Sequence, residues 1–187
     1  MTSILVETGL TGAIGTGIVF VEAGLAKLRH RDLVPGVVAN YRLLPEFLVA
    51  PVATLLPLVE LGLGLGLIAG AVTGVALRLF ALPAAALLLL FAGAMAINIR
   101  RGRQAIDCGC GRSHLRQPLS WGLVARNGVL ALLVATAALP HWGADPVAPV
   151  DIALALVAGA ALYGMMLLFN ALTALAASPL ASGRRVP

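Results

Sequence analysis

Long apolar runs constrain this chain more than any other feature. A helix needs about 20 largely apolar residues to cross the hydrocarbon layer of a bilayer. Five stretches meet that length, roughly residues 8–28, 51–70, 74–99, 121–139 and 152–177. Composition agrees: 60% of the residues are hydrophobic and 11% charged, whereas soluble domains are about 25% charged. In lipid every backbone polar group must be satisfied internally, which a helix does within one segment. The expectation is an all-α integral membrane helical bundle with about five transmembrane helices. It forms a single domain over residues 1–177, with a short basic tail over 178–187.

The basic residues then orient the bundle. Lys27, Arg29, Arg31 and Arg42 follow the first run; Arg100, Arg101, Arg103, Arg112 and Arg116 follow the third; Arg184 and Arg185 follow the fifth. In a five-span chain these three segments share one side, and Glu7, Asp145 and Asp151 occupy the other. Basic residues near span ends set the cytoplasmic side. The reading is a multi-pass protein of a bacterial-type inner membrane, N-terminus outside, C-terminus inside. The net charge of +5 is spent at these boundaries, and with no aromatic-studded basic patch nucleic acid is excluded as a partner. The opening "MTSILVETGLTGAIG" has no basic n-region and carries Glu7, so it is expected to remain as the first span.

Between the first two runs, "RHRDLVPGVVANYRLLPEFLVA" is too polar to span and interleaves Leu33, Val34, Val37, Val38, Leu43 and Leu44 with charge. It reads as a broken amphipathic segment lying at the interface. Gly70–Gly74 makes a tight connection, so the second and third spans form a hairpin. Gly9, Gly12, Gly15 and Gly17, then Gly62, Gly64 and Gly66, offer small faces for close helix packing. No longer unit recurs, so an inverted-repeat transporter is not expected. Trp121, Trp142 and Tyr41 mark span ends, Asn98 and Asn170 serve packing or capping, and the adjacent Met165 and Met166 point in different directions.

Charges inside spans are expensive and need partners. Glu60 lies near the middle of the second span, and Arg78, early in the third, is its expected partner across the short hairpin. Glu22 stands one turn from Lys27 and can pair with Arg126 or Asn127 if the first and fourth spans touch. Structural ion pairing and a part in proton movement or ligand binding both fit these residues, and Glu60→Gln separates them: it abolishes activity only in the second case.

The chain's only cysteines are Cys108 and Cys110, in "IDCGCGRSH". A disulfide between residues so close closes a small, easily reduced ring, and Gly109 and Gly111 remove side chains that resist the turn. Nearby cations lower a thiol's pKa; Arg103, Arg112, Arg116 and His114 flank the pair and Asp107 opposes them. The pair therefore suits thiol–disulfide exchange. Metal binding by Cys108, Cys110 and His114 is the rival, without an evident fourth ligand.

"GLAKLRHRD", then "YRLLPEFLVAPVATLLPLVELGLGLGLIAG", then "DCGCG" before a further span resembles the MauE family of methylamine-utilisation accessory proteins, within the wider DoxX-like group. The resemblance covers roughly residues 10–140. It rests on Lys27 closing the first span, Tyr41 to Pro45, Pro57 and Glu60, and Cys108-Gly109-Cys110. Family members commonly follow the cysteines with Phe-Gly, where this chain has Gly-Arg. The resemblance implies a four-helix DoxX-like core plus a C-terminal helix, and a thiol-redox accessory protein that assists maturation of an exported protein alongside a thioredoxin-like partner.

Outward thiols suit exported disulfides, yet the arginines place Cys108 and Cys110 on the cytoplasmic side; the charge asymmetry, a property of this chain, decides the expectation. No cofactor is evident. A quinone is a conceivable electron acceptor, although no residue identifies its site. The alternatives are a noncatalytic subunit or assembly factor of a larger membrane complex, and a small-solute or metal-ion carrier using Glu22, Glu60 and Arg78.

Overall fold

The computed structural model describes residues 2–106, 118–139 and 148–176. They fold into six helices: α1 (Thr2–Arg29), α2 (Val34–Asn40), α3 (Glu46–Thr73), α4 (Leu77–Arg100), α5 (Trp121–Thr136) and α6 (Pro149–Ala176). Four of these, α1, α3, α4 and α6, are long and apolar enough to cross a membrane, and α5 is a shorter apolar helix of 16 residues. The protein is a multi-pass membrane helical bundle. Cys108 and Cys110, Trp142 and the basic tail lie outside the described residues.

Helix α1 is the hub, packing on α3, α5 and α6. Four glycines make this possible, one aimed at α5, one at α6 and two at α3. A Cβ on Gly12 would stand 2.7 Å from the backbone of Leu133 on α5, and one on Gly15 would stand 2.7 Å from Leu162 on α6. Cβ atoms on Gly17 and Gly24 would crowd the Gly64 and Pro57 carbonyl oxygens of α3, at 2.9 and 2.8 Å. Without lipid-excluded water to drive association, such close backbone approach supplies the dispersion contacts that hold helices together. Leu10, Ala13, Ile14 and Phe20 of α1 fill the resulting core with Leu67, Leu88, Leu130 and Val134.

The α3–α4 hairpin forms as its glycines require. Gly74 adopts φ 72°, a left-handed conformation open to glycine, and its N–H closes the helix onto the Gly70 carbonyl at 2.9 Å. Helix α3 starts at Glu46, ahead of the expected residue 51, because Pro45 supplies an extended entry and Pro51 falls early in the helix. The amphipathic connector contributes α2, which packs on α3 with Val34 buried and Val37 and Val38 half-buried. Met166 is buried and Met165 exposed, the opposed directions their adjacency requires.

At the far end of α4, a second small core joins Met95 and Ile99 to Leu119 and Leu123, with Tyr41, Ile106 and Phe169 against it. The N–H of Leu119 donates to the Gln104 carbonyl at 2.9 Å. The two strands of chain that lead into and out of residues 107–117 are thereby stitched together.

Candidate functional site

Lys27 occupies the last turn of α1, where the helix dipole favours a cation. The close approach of Gly24 to Pro57 and Leu61 brings α3 alongside that turn. Lys27 Nζ consequently donates to both carboxylate oxygens of Glu60, each at 2.8 Å. Glu60 is 1% exposed and Lys27 14%, so the pair is held out of solvent. The resemblance singled out both residues without joining them; the packing of α1 on α3 does so.

This corrects the expected Glu60–Arg78 pair. Thr73 ends α3 13 residues beyond Glu60, about 20 Å at 1.5 Å per residue, and Arg78 lies beyond the turn, in the first part of α4. The two therefore stand at different levels of the hairpin. Arg78 Nη2 donates instead to the Leu139 carbonyl at 2.8 Å, tying the start of α4 to the end of α5. The expected contact of the first and fourth spans is present as α1 on α5. Glu22 is half-buried, and Arg126 Nη1 donates to Asn170 Oδ1 of α6 at 2.6 Å. Asn170 thus receives a charged donor, beyond the packing role its position suggested.

A groove of about 650 Å³ lies beside the ion pair. Its walls include Val37, Leu56 and Leu88, and its polar groups are Lys27, Glu60, Tyr41, Arg126 and Asn127. Asn127 is 3% exposed, and its Nδ2 has no hydrogen-bond partner among the described residues.

Arg103 forms a clamp that the sequence reading missed. Its Nη1 donates to Asn98 Oδ1 at 3.1 Å and more weakly to the Tyr41 carbonyl at 3.4 Å, and its Nη2 donates to the Asn40 carbonyl at 2.7 Å. Asn98, fully buried, donates in turn to the Ala94 carbonyl at 3.1 Å. One guanidinium therefore caps the end of α2 and fixes it to α4, whereas proximity in sequence suggested only that it neighbours the thiols. The signal available was a buried Asn five residues before an Arg at a helix end. Cys108, Cys110, Arg112 and His114, and with them the alternative metal set, lie outside the described residues; the clamp stands at their N-terminal root.

Comparison with known proteins bears on this arrangement. The family model described as methylamine utilisation protein MauE matches residues 5–143. Methylamine utilization protein MauE of Paracoccus denitrificans is 48% identical over 143 residues, 76% of this chain and 75% of the relative. The protein of the same name from Methylorubrum extorquens is 39% identical over 170 residues, 89% of each chain. That from Paracoccus versutus is 42% identical over 152 residues, 81% of this chain and 78% of the relative. No solved structure matches. The matched stretch runs from α1 through α5 and takes in Lys27, Glu60, Arg103 and both cysteines, and the chain belongs to the MauE family.

Proposed function

We propose that this chain is an accessory membrane protein of methylamine utilisation in which Cys108 and Cys110 exchange disulfides with a thioredoxin-fold partner during maturation of an exported protein. The observation that carries this reading is the placement of the chain's only two thiols, one residue apart, among arginines and between two anchored chain ends. The Arg103 clamp and the Leu119–Gln104 bond hold the described residues on either side of that segment. The relatives' printed name supplies the metabolic setting.

In the exchange a thiolate of the pair attacks a partner disulfide, forming a mixed disulfide and releasing one partner thiolate. The second cysteine then attacks the mixed disulfide. The pair ends oxidised and the partner reduced by two electrons, with two protons taken up by the partner's sulfurs; the reverse sequence oxidises the partner. Flanking guanidinium groups favour the attacking thiolate. The carrier alternative is weaker, because both Glu60 oxygens are bonded to Lys27.

Rapid acid trapping followed by mass-tagging of thiols in growing cells tests the proposal. The pair is expected in both oxidised and reduced forms, with a mixed disulfide accumulating when Cys108 or Cys110 is replaced by Ser. A pair that never changes oxidation state, together with full maturation in the Cys108→Ser/Cys110→Ser double variant, refutes it and leaves the assembly-factor reading.

A further inference from the structure

Near their turn, α3 and α4 lie in close contact, Gly66 against the Phe80 ring and Gly70 against Leu77. Farther from the turn both helices line the groove beside Lys27 and Glu60, Val52 and Leu56 from α3 and Leu87 to Ile97 from α4. That stretch of α4 is about 15 Å long at 1.5 Å per residue, half of a hydrocarbon layer about 30 Å thick. Leu89, Leu90 and Gly93 of the lining are exposed, so the groove is open toward the surrounding lipid. The polar groups in its walls are closed to an occupant: Glu60 is 1% exposed and bonded through both oxygens to Lys27, and Asn127 is 3% exposed. The surface on offer is apolar.

The end farthest from the turn is basic. Tyr41, Leu43 and Leu44 of the connector line it, and the Arg103 bonds to the Asn40 and Tyr41 carbonyls seat that stretch beside the end of α4. Arg42, between Tyr41 and Leu43, is thereby brought to the same end as Arg100 and Arg101, which follow Ile97 by three and four residues. All three arginines are exposed, and none is in an ion pair among the described residues. Asp32 and Glu46 are carboxylates of this end, and neither is paired with them.

We infer that the groove binds one anionic phospholipid from the leaflet on the arginine side, an acyl chain lying between α3 and α4 and the phosphate among Arg42, Arg100 and Arg101. The groove runs along the helices for the depth of one leaflet, as an acyl chain does, and its basic end lies where a headgroup lies. Guanidinium groups take phosphate oxygens in paired, charge-assisted hydrogen bonds. Basic clusters beside helix ends attract lipids of net negative charge, so phosphatidylglycerol is favoured over zwitterionic phosphatidylcholine. The inference goes beyond the thiol reading and does not rest on it, since neither cysteine takes part.

The test is photolabelling of the full chain in phosphatidylcholine nanodiscs by phosphatidylglycerol that carries a diazirine near the methyl end of one chain. Labelling is expected to fall on the peptides containing Leu56 and Leu87 and to saturate, with a preference of about tenfold over phosphatidylcholine. Arg42→Gln/Arg100→Gln/Arg101→Gln should bring that preference close to parity. Gly93 lines the groove, and a Cβ there meets nothing within 4 Å. Gly93→Phe should therefore occupy the groove and abolish its labelling while thermal unfolding stays as in the parent, a control that holds even if the triple variant fails to fold. Cys108→Ser/Cys110→Ser should label as the parent does, so a failed thiol reading leaves this one standing. Labelling that rises in proportion to the phosphatidylglycerol fraction without saturating, equal affinity of the parent for the two lipids, or undiminished labelling in Gly93→Phe overturns the inference.

Discussion

Lys27 and Glu60 are separated by 33 residues, and their meeting shows what a single buried charge commits a neighbour to. Removing one partner leaves the other without compensation in an apolar wall, which typically costs about 3–5 kcal/mol. Glu60→Ala and Lys27→Ala are each expected to lower stability by that order, while Lys27→Met/Glu60→Leu recovers most of it. Thermal unfolding in detergent, arranged as a double-mutant cycle, measures the coupling; additive losses would show that the pair is not coupled. That Glu60 needs a partner is evident from its residue type and its apolar surroundings. Which partner it takes is not, because the nearest cation along the hairpin and the nearest in space differ. Only the glycine-mediated approach of α1 to α3, anchored at Gly24, decides between Arg78 and Lys27. Arg103 teaches the same lesson: in sequence it precedes Cys108 by five residues, whereas its guanidinium holds Asn98 and the carbonyls closing α2.

At the scale of elements, the run Gly62-Leu63-Gly64-Leu65-Gly66 places small residues on two opposite sides of α3. Successive residues in a helix turn by about 100°, so glycines two apart cannot share a neighbour. Gly64 meets Gly17 and Val21 of α1, Gly66 faces the Phe80 ring of α4, and Gly62 meets nothing within 4 Å. Gly64→Ala is therefore expected to destabilise by about 1–3 kcal/mol, since its Cβ would lie 2.7 Å from the Gly17 carbonyl oxygen and the helices must part. Gly62→Ala should be neutral or stabilising by up to about 1 kcal/mol through helix propensity. Equal unfolding temperatures for the two variants would contradict the packing described. The clamp makes a further prediction for α2. Arg103→Gln removes its bonds to Asn40 and Tyr41 and should raise protease cleavage between α2 and α3 several-fold, while cleavage between α3 and α4 stays unchanged. The helices themselves were legible from apolar run length, and the hairpin from its glycines. The clamp was not, because a helix-end arginine carries no mark of what it will bond.

For the whole molecule, the basic segments predict a direction across the bilayer. Thiols at 108 and 110 are expected to react with a membrane-impermeant maleimide only after permeabilisation of spheroplasts; labelling in intact spheroplasts would reverse the orientation. The architecture adds something that hydropathy alone does not convey. Helix α1, on which α3, α5 and α6 converge, is the least apolar of the four long helices, and half of its apolar window is buried, against 11% for α6. Its surface is bare of bulk where partners must land. During synthesis this helix emerges ahead of the helices that enclose it, and its seat at Gly15 is filled only when α6 arrives. The segment on which the bundle is built is thus fully enclosed only late, and a nascent chain must shelter it until α6 has been made.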